Sequence, residues 1–117
     1  VEADMRQIDA AKNLGASVVE IHTGAYCNAS GVLREQELSR IKKAAVYAAG
    51  LNIEVHAGHG LDFGTVGAIA EIPQFSELNI GHFLIGEAIF EGLDNSIKRM
   101  RSLMDNARAT VTREPQG

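Results

Sequence analysis

Three short strand-like segments, SVVEIHTG (17–24), rich in β-branched residues, NIEVHAG (52–58) and SELNIGH (76–82), alternate with stretches of helical period. That alternation restricts the possible folds more than any other feature of the chain. Met5, Ile8, Ala11 and Leu14 recur at helical spacing and stop at Gly15, a residue suited to the left-handed position that closes a helix. From Arg34, the positions Leu38, Ile41, Ala45 and Ala48 predict a second helix, closed by Gly50. TVGAIAEI, stopped by Pro73, predicts a short third one, and Leu93, Ile97, Met100, Met104 and Ala107 predict the last. TREPQG at the end reads as a frayed tail. Strands separated by helices at this spacing form βα units with a parallel sheet, an α/β fold.

The two faces of the strands differ in kind. Val19 and Ile21, Ile53 and Val55, and Leu78 and Ile80 make an apolar set suited to packing under helices. The opposite set is polar: Glu20 and His22, Glu54 and His56, and Asn79 with Gly81. A doubly wound sheet is covered on both faces and wants both apolar, whereas the inner face of a (β/α)₈ TIM barrel becomes polar toward its C-terminal mouth. The pattern therefore favours a barrel. Three strands cannot close one, so residues 1–117 read as roughly the second half of a single barrel domain of about 250 residues. The start at Val1, without Met, directly before a helical pattern, agrees with an incomplete or processed piece.

Composition narrows the function. A chain of 117 residues with 45% hydrophobic content supports one core. A net charge of −4 and the absence of any Lys/Arg run argue against nucleic acid, leaving small ligands as the expected partners. No apolar run approaches the roughly 20 residues of a membrane helix. A lone cysteine, Cys27, makes no internal disulfide and fits a reducing, cytoplasmic setting. Glycines gather with imidazoles at the strand ends, in HTG, HAGHG and NIGH, where barrel enzymes keep their sites and where a Cβ would obstruct a ligand. His56 belongs to a strand and His59 to the loop above it. The four histidines, with Glu20 or Asp62, evoke a zinc hydrolase, but no HxxxH or HExxH pair exists and no metal is expected. Gly58, Gly60 and Gly64 are spaced one residue too long for a dinucleotide fingerprint, so NAD is not expected either.

VVEIHTGAY, EVHAGHGL, AIAEIP and ELNIGHFLIGEAIF resemble the C-terminal half of the pyridoxine 5′-phosphate synthase family, from Ala3 to about Arg108. The combination of HAGHGL with ELNIGHFLIG is far more specific than any single glycine-rich turn. The resemblance implies a (β/α)₈ barrel in which the three strands are the sixth, seventh and eighth. It also implies a ring-closing, transferase-class reaction without metal or organic cofactor. In that reaction 1-deoxy-D-xylulose 5-phosphate condenses with 3-amino-2-oxopropyl phosphate to give pyridoxine 5′-phosphate, phosphate and water. By the same resemblance His59 is the proton donor, Glu20 stabilises the transition state, and Gly60, with Gly81 and His82, contacts the aminoketone phosphate. The family's other histidine and glutamate bases belong to its N-terminal half. The resemblance further suggests a homo-oligomer, an octamer.

The chemistry of these residue types fits such roles. Schiff-base formation, phosphate loss and dehydration all move protons near neutral pH, which suits an imidazole such as His59. Glu20 could orient an imidazole or stabilise an iminium. Amides leading from NIG into the helical pattern HFLIGEAIF suit phosphate. Other readings stay open from the residues alone. Glu20 and His22 could form a structural polar layer, His56 is read as structural, His59 could sit idle in solvent, His82 could cap a helix, and Cys27 is read as an ordinary thiol. Another phosphosugar barrel enzyme, or an inactive half-barrel that binds phosphate or associates, are the competing functions. The isolated chain is expected to be inactive.

Overall fold

A computed structural model describes residues 1–80 and 93–113. It contains helix α1 (Met5–Asn13), strand β1 (Val18–His22), helices α2 (Gly24–Asn28) and α3 (Gly31–Gly50), and strand β2 (Glu54–Gly58). Helix α4 (Val66–Ala70), strand β3 (Phe75–Asn79) and helix α5 (Leu93–Arg113) follow. The strands pair in parallel in the order β1-β2-β3. The short α2 follows β1 directly, in a segment whose five residues carry too little periodicity to announce a helix. Helix α5 continues through Thr112 and Arg113, which the sequence pattern places in a frayed tail.

Two of the three described helix-to-strand turns use one device. At α1, the amide of Gly15 donates to Lys12 O and that of Ala16 to Ala11 O, with Gly15 at φ +86, the pair of bonds that defines a Schellman motif. At α3 the same pair runs from Asn52 to Ala49 O and from Ile53 to Ala48 O. The left-handed residue there is Asn52, at φ 61, and Gly50 is the last helical residue. Asparagine tolerates this conformation, so the turn sits two residues beyond Gly50. At Gly15 an added Cβ meets nothing within 4 Å, so the cost of Gly15→Ala is purely one of backbone conformation. It is expected to be about 1–2 kcal/mol, measured by urea unfolding of the complete protein.

The apolar faces of the strands pack under the helices as expected. Val19, Ile21, Val55, Ala57 and Phe75 are buried against Ile8 of α1, Ile41, Ala44, Ala45 and Ala48 of α3, and Val66 and Ile69 of α4. Among the described side chains of α5, Ser96, Met100 and Ala107 are buried, whereas Ile97 is exposed. The apolar stripe of that helix is thus rotated from the one its sequence pattern indicates.

A bulge sets the faces of β3. Val55 pairs with Phe75 and His56 with Glu77, leaving Ser76 as the extra residue. Strict alternation from Phe75 would send Glu77 and Asn79 into the core. The bulge instead buries Phe75, returns Leu78 to the apolar side and turns Glu77 and Asn79 to the polar side.

No described helix covers that polar side, which carries Glu20, His22, Glu54, His56, Glu77 and Asn79. Beyond β1 the pairing continues for one residue. The Val1 nitrogen donates to Glu20 O at 2.7 Å, and His22 N donates to Val1 O at 2.9 Å, the hydrogen-bond pattern of a parallel pair. Among the described residues no helix is long and apolar enough to cross a membrane.

Candidate active site

The C-terminal ends of the strands bring the HTG and HAGHG segments together. β1 and β2 pair from Val18–Glu54 to His22–Gly58, so Thr23 emerges beside the loop that follows Gly58. Thr23 is fully buried and holds that loop twice. Its amide donates to Gly58 O at 2.9 Å, and its hydroxyl donates to His59 O at 2.7 Å. The next two residues turn left-handed, His59 at φ 99 and Gly60 at φ +78. A Cβ on Gly60 would lie 3.3 Å from the Cβ of Cys27, and one on Gly24 would lie 3.3 Å from the His59 ring. Both glycines therefore permit the loop to lie against α2.

His59 stands exposed on this loop, its ring centroid 5.8 Å from that of His22 and tilted by 35°. His22 Nδ1 in turn lies 3.4 Å from Glu2 Oε1, an exposed contact. A non-glycine residue at positive φ is uncommon and costs free energy, so the tertiary clamp by Thr23 fixes where the imidazole is presented. The loop is closed on its far side by a reciprocal turn. The Asp62 amide donates to Thr65 Oγ1 at 2.9 Å, and the Thr65 amide donates to Asp62 Oδ1 at 2.9 Å, leading into α4.

Glu20 lies on the polar face, half-buried. Its Oε2 accepts a 2.6 Å hydrogen bond from Asn79 Nδ2, reaching from β1 to β3 across the middle strand. Its register partner His56 is engaged elsewhere, with Nε2 2.7 Å from Glu54 Oε2 and Nδ1 3.1 Å from Glu77 Oε2. Both ring nitrogens can donate only if the imidazole carries two protons. His56 is thus held between two carboxylates, while Glu20 is left to Asn79.

Cys27 is a poor nucleophile here. Burial pushes its thiol above the ordinary 9.0, opposed in part by hydrogen bonds with Thr65 and Thr23 and by Arg34. Burial likewise raises Tyr26 above 10.0, with Arg34 opposing; its hydroxyl donates to Thr65 O at 3.0 Å. Both groups hold their protons more tightly in the folded chain than in the unfolded one. Their contribution to stability is therefore complete below pH 9 and is lost as the pH climbs through the raised values. The melting temperature of the complete protein is expected to fall above pH 9, and less steeply in a Cys27→Ser, Tyr26→Phe variant, followed by circular dichroism.

Of the residues singled out in the sequence, Glu20 and His56 lie midway along β1 and β2 on the polar face, His22 ends β1, and His59 and Gly60 lie on the loop above β2. Gly81 and His82 lie outside the described residues. Asn79 and Thr23 are additional. Their signal was available only in part, as Asn79 on the polar face of its strand and Thr23 within HTG. Among the described residues no group of three or more His, Cys, Asp or Glu side chains is arranged to hold a metal ion.

Comparison with known proteins bears on this arrangement. The family model described as pyridoxal phosphate biosynthesis protein PdxJ matches residues 1–106. A pyridoxine 5′-phosphate synthase of Rhodospirillum rubrum is 59% identical over 108 residues, covering 92% of this chain and 43% of the relative. One from Zymomonas mobilis is 60% identical over 109 residues, covering 93% and 43%. One from Caulobacter sp. is 56% identical over 115 residues, covering 95% and 46%. The chain thus spans less than half the length of these relatives and corresponds to their C-terminal part. With nearly all of its length matched, the chain belongs to the PdxJ family of pyridoxal phosphate biosynthesis proteins.

Proposed function

We propose that the complete protein containing this chain is a pyridoxine 5′-phosphate synthase, with residues 1–117 forming the C-terminal part of a (β/α)₈ barrel. The observation that carries the reading is the one-sided sheet. Three parallel strands bury their apolar face under helices and keep a polar face uncovered, with Glu20 midway along β1 and the His59 loop at the C-terminal end of β2. Val1 adds the start of a further parallel pairing on the outer edge of β1, where a preceding barrel strand belongs.

In this reading the amine of 3-amino-2-oxopropyl phosphate condenses with the ketone of 1-deoxy-D-xylulose 5-phosphate. Water and phosphate depart, and the ring closes to pyridoxine 5′-phosphate. His59, exposed at the mouth, donates protons to departing oxygens. Glu20, anchored beneath it, supplies negative charge against a developing iminium. Gly60 offers backbone without a Cβ to the aminoketone phosphate, and Gly81 with His82 completes that contact. Neither a metal nor an organic cofactor takes part. The protein works in the cytoplasm as a homo-oligomer.

The test is turnover of the complete protein with the two phosphorylated precursors, followed by chromatographic detection of pyridoxine 5′-phosphate and by phosphate release. Absence of that product, with turnover of another sugar phosphate, would overturn the reading in favour of a different phosphosugar barrel enzyme. Residues 1–117 expressed alone are expected to be inactive and to self-associate. The polar face is then uncovered, and among the described residues nothing pairs with the outer edge of β3. Light scattering and the same turnover assay check this.

A further inference from the structure

The bond between Glu20 and Asn79 is unusual in its reach. β1 and β3 are separated by the whole of β2, so their backbones lie about 9–10 Å apart. Two side chains can bridge that gap only if the intervening position is clear. The position is Gly58. A Cβ built there would lie 2.9 Å from the Cβ of Asn79, 3.1 Å from Asn79 O and 3.1 Å from Glu20 Oε1. Gly58 has no positive φ to explain it, so what glycine provides at this place is space. The bulge at Ser76 contributes as well, because it turns Asn79 to the polar face. Three separate features, one on each of β2 and β3 and the bulge between them, converge on one carboxylate.

The chemistry of the contact is one-directional. An ionised carboxylate only accepts, so the amide nitrogen must be the group that faces it, and the 2.6 Å bond holds Glu20 Oε2 on the β3 side. Oε1 remains directed over Gly58, toward the strand end from which the His59 loop departs. His56, the nearest alternative partner by register, is already bonded to Glu54 and Glu77.

We propose that Asn79 is a positioning residue that fixes the Glu20 carboxylate over the Cβ-free gap at Gly58, leaving Oε1 free to face the reacting substrate. The proposal rests on the role given above to Glu20. Without the amide, the carboxylate rotates through several rotamers, and an error of about 1 Å in a reacting group is worth up to about 10² in rate.

The experiment uses the complete protein and steady-state kinetics with both phosphorylated substrates. Asn79→Ala is expected to lower kcat by about 10-fold to 10²-fold with KM changed less than about threefold, since the group acts on the transition state. Asn79→Asp keeps the shape but loses the donor, and is expected to lose as much. Gly58→Ala, which crowds the same gap, is expected to follow. On a Glu20→Gln background Asn79→Ala is expected to add less than about threefold, because the carboxylate it positions is gone. Multiplicative losses in the double variant would overturn the proposal. So would parent-like kcat for Asn79→Ala beside an impaired Glu20→Gln, an outcome that leaves the role of Glu20 standing. A parent-like Glu20→Gln would remove that role and the proposal together. Loss of the fold in both Asn79 variants would make the residue structural and also overturn it.

Discussion

Replacing His59 by glycine is expected to lower turnover of the complete protein by about 10² or more while its melting temperature stays level or rises. The two effects separate because of the backbone at this position. At φ 99 a residue with a Cβ carries about 1–2 kcal/mol of conformational strain, which glycine relieves. Against that gain stands about 0.5–1 kcal/mol for the larger backbone entropy of glycine in the unfolded chain. The side chain is exposed, so its removal opens no cavity, and the carbonyl that accepts from Thr23 is kept. A loss of turnover here therefore reports chemistry alone. His22→Ala serves as the comparison, since it removes a half-exposed contact with Glu2 worth at most about 1 kcal/mol and is expected to disturb stability more than turnover. Turnover and thermal melting of both variants decide the assignment. A fully active His59→Gly protein would show that proton donation comes from elsewhere.

Phe75→Ala is expected to destabilise the complete protein by about 3–5 kcal/mol, a large share of the 5–15 kcal/mol that holds an ordinary domain together. Among the described residues Phe75 is the largest fully buried side chain, and it opens β3 at the bulge. Its carbonyl accepts from the Arg108 guanidinium of α5, so the same residue joins sheet and last helix. Truncation leaves a cavity at the point where the strand changes face. Turnover should suffer too, because the bulge directs Glu77 and Asn79. Urea unfolding gives the stability change, and an unaltered midpoint would mean that the site collapses around the smaller side chain.

Much of this organisation was legible in the residues. Helix and strand alternation, the apolar and polar sets on β1 and β2, and the closing role of Gly15 follow from local rules that depend on a few neighbouring side chains. What escaped was non-local or nearly degenerate. The α3 turn sits at Asn52, two residues past Gly50, because asparagine and glycine both accept left-handed backbone and the sequence offers both. The α5 stripe is rotated away from Ile97 because packing against α4 and the sheet selects the buried face, and Ser96 as well as Met100 lies on it. The bulge at Ser76 has no local signature. FSELN is compatible with either facing, and only pairing with Val55 and His56 decides between them.

The same division runs through the candidate site. Imidazoles and a carboxylate on or just beyond strands, beside glycines, are a property of the residue string, and so the sequence by itself determined the parallel α/β arrangement and the polar face, and offered Glu20, His59 and Gly60 as candidate chemical groups on it. Which group meets which was decided by tertiary structure alone. Thr23 fixes His59 across 36 residues, and Asn79 fixes Glu20 across 59, over a gap that Gly58 leaves open. The physical reason is the difference in range. Periodicity and turn chemistry act over a few residues, whereas these contacts depend on strand register, and a register shift of one residue would exchange every face of the sheet.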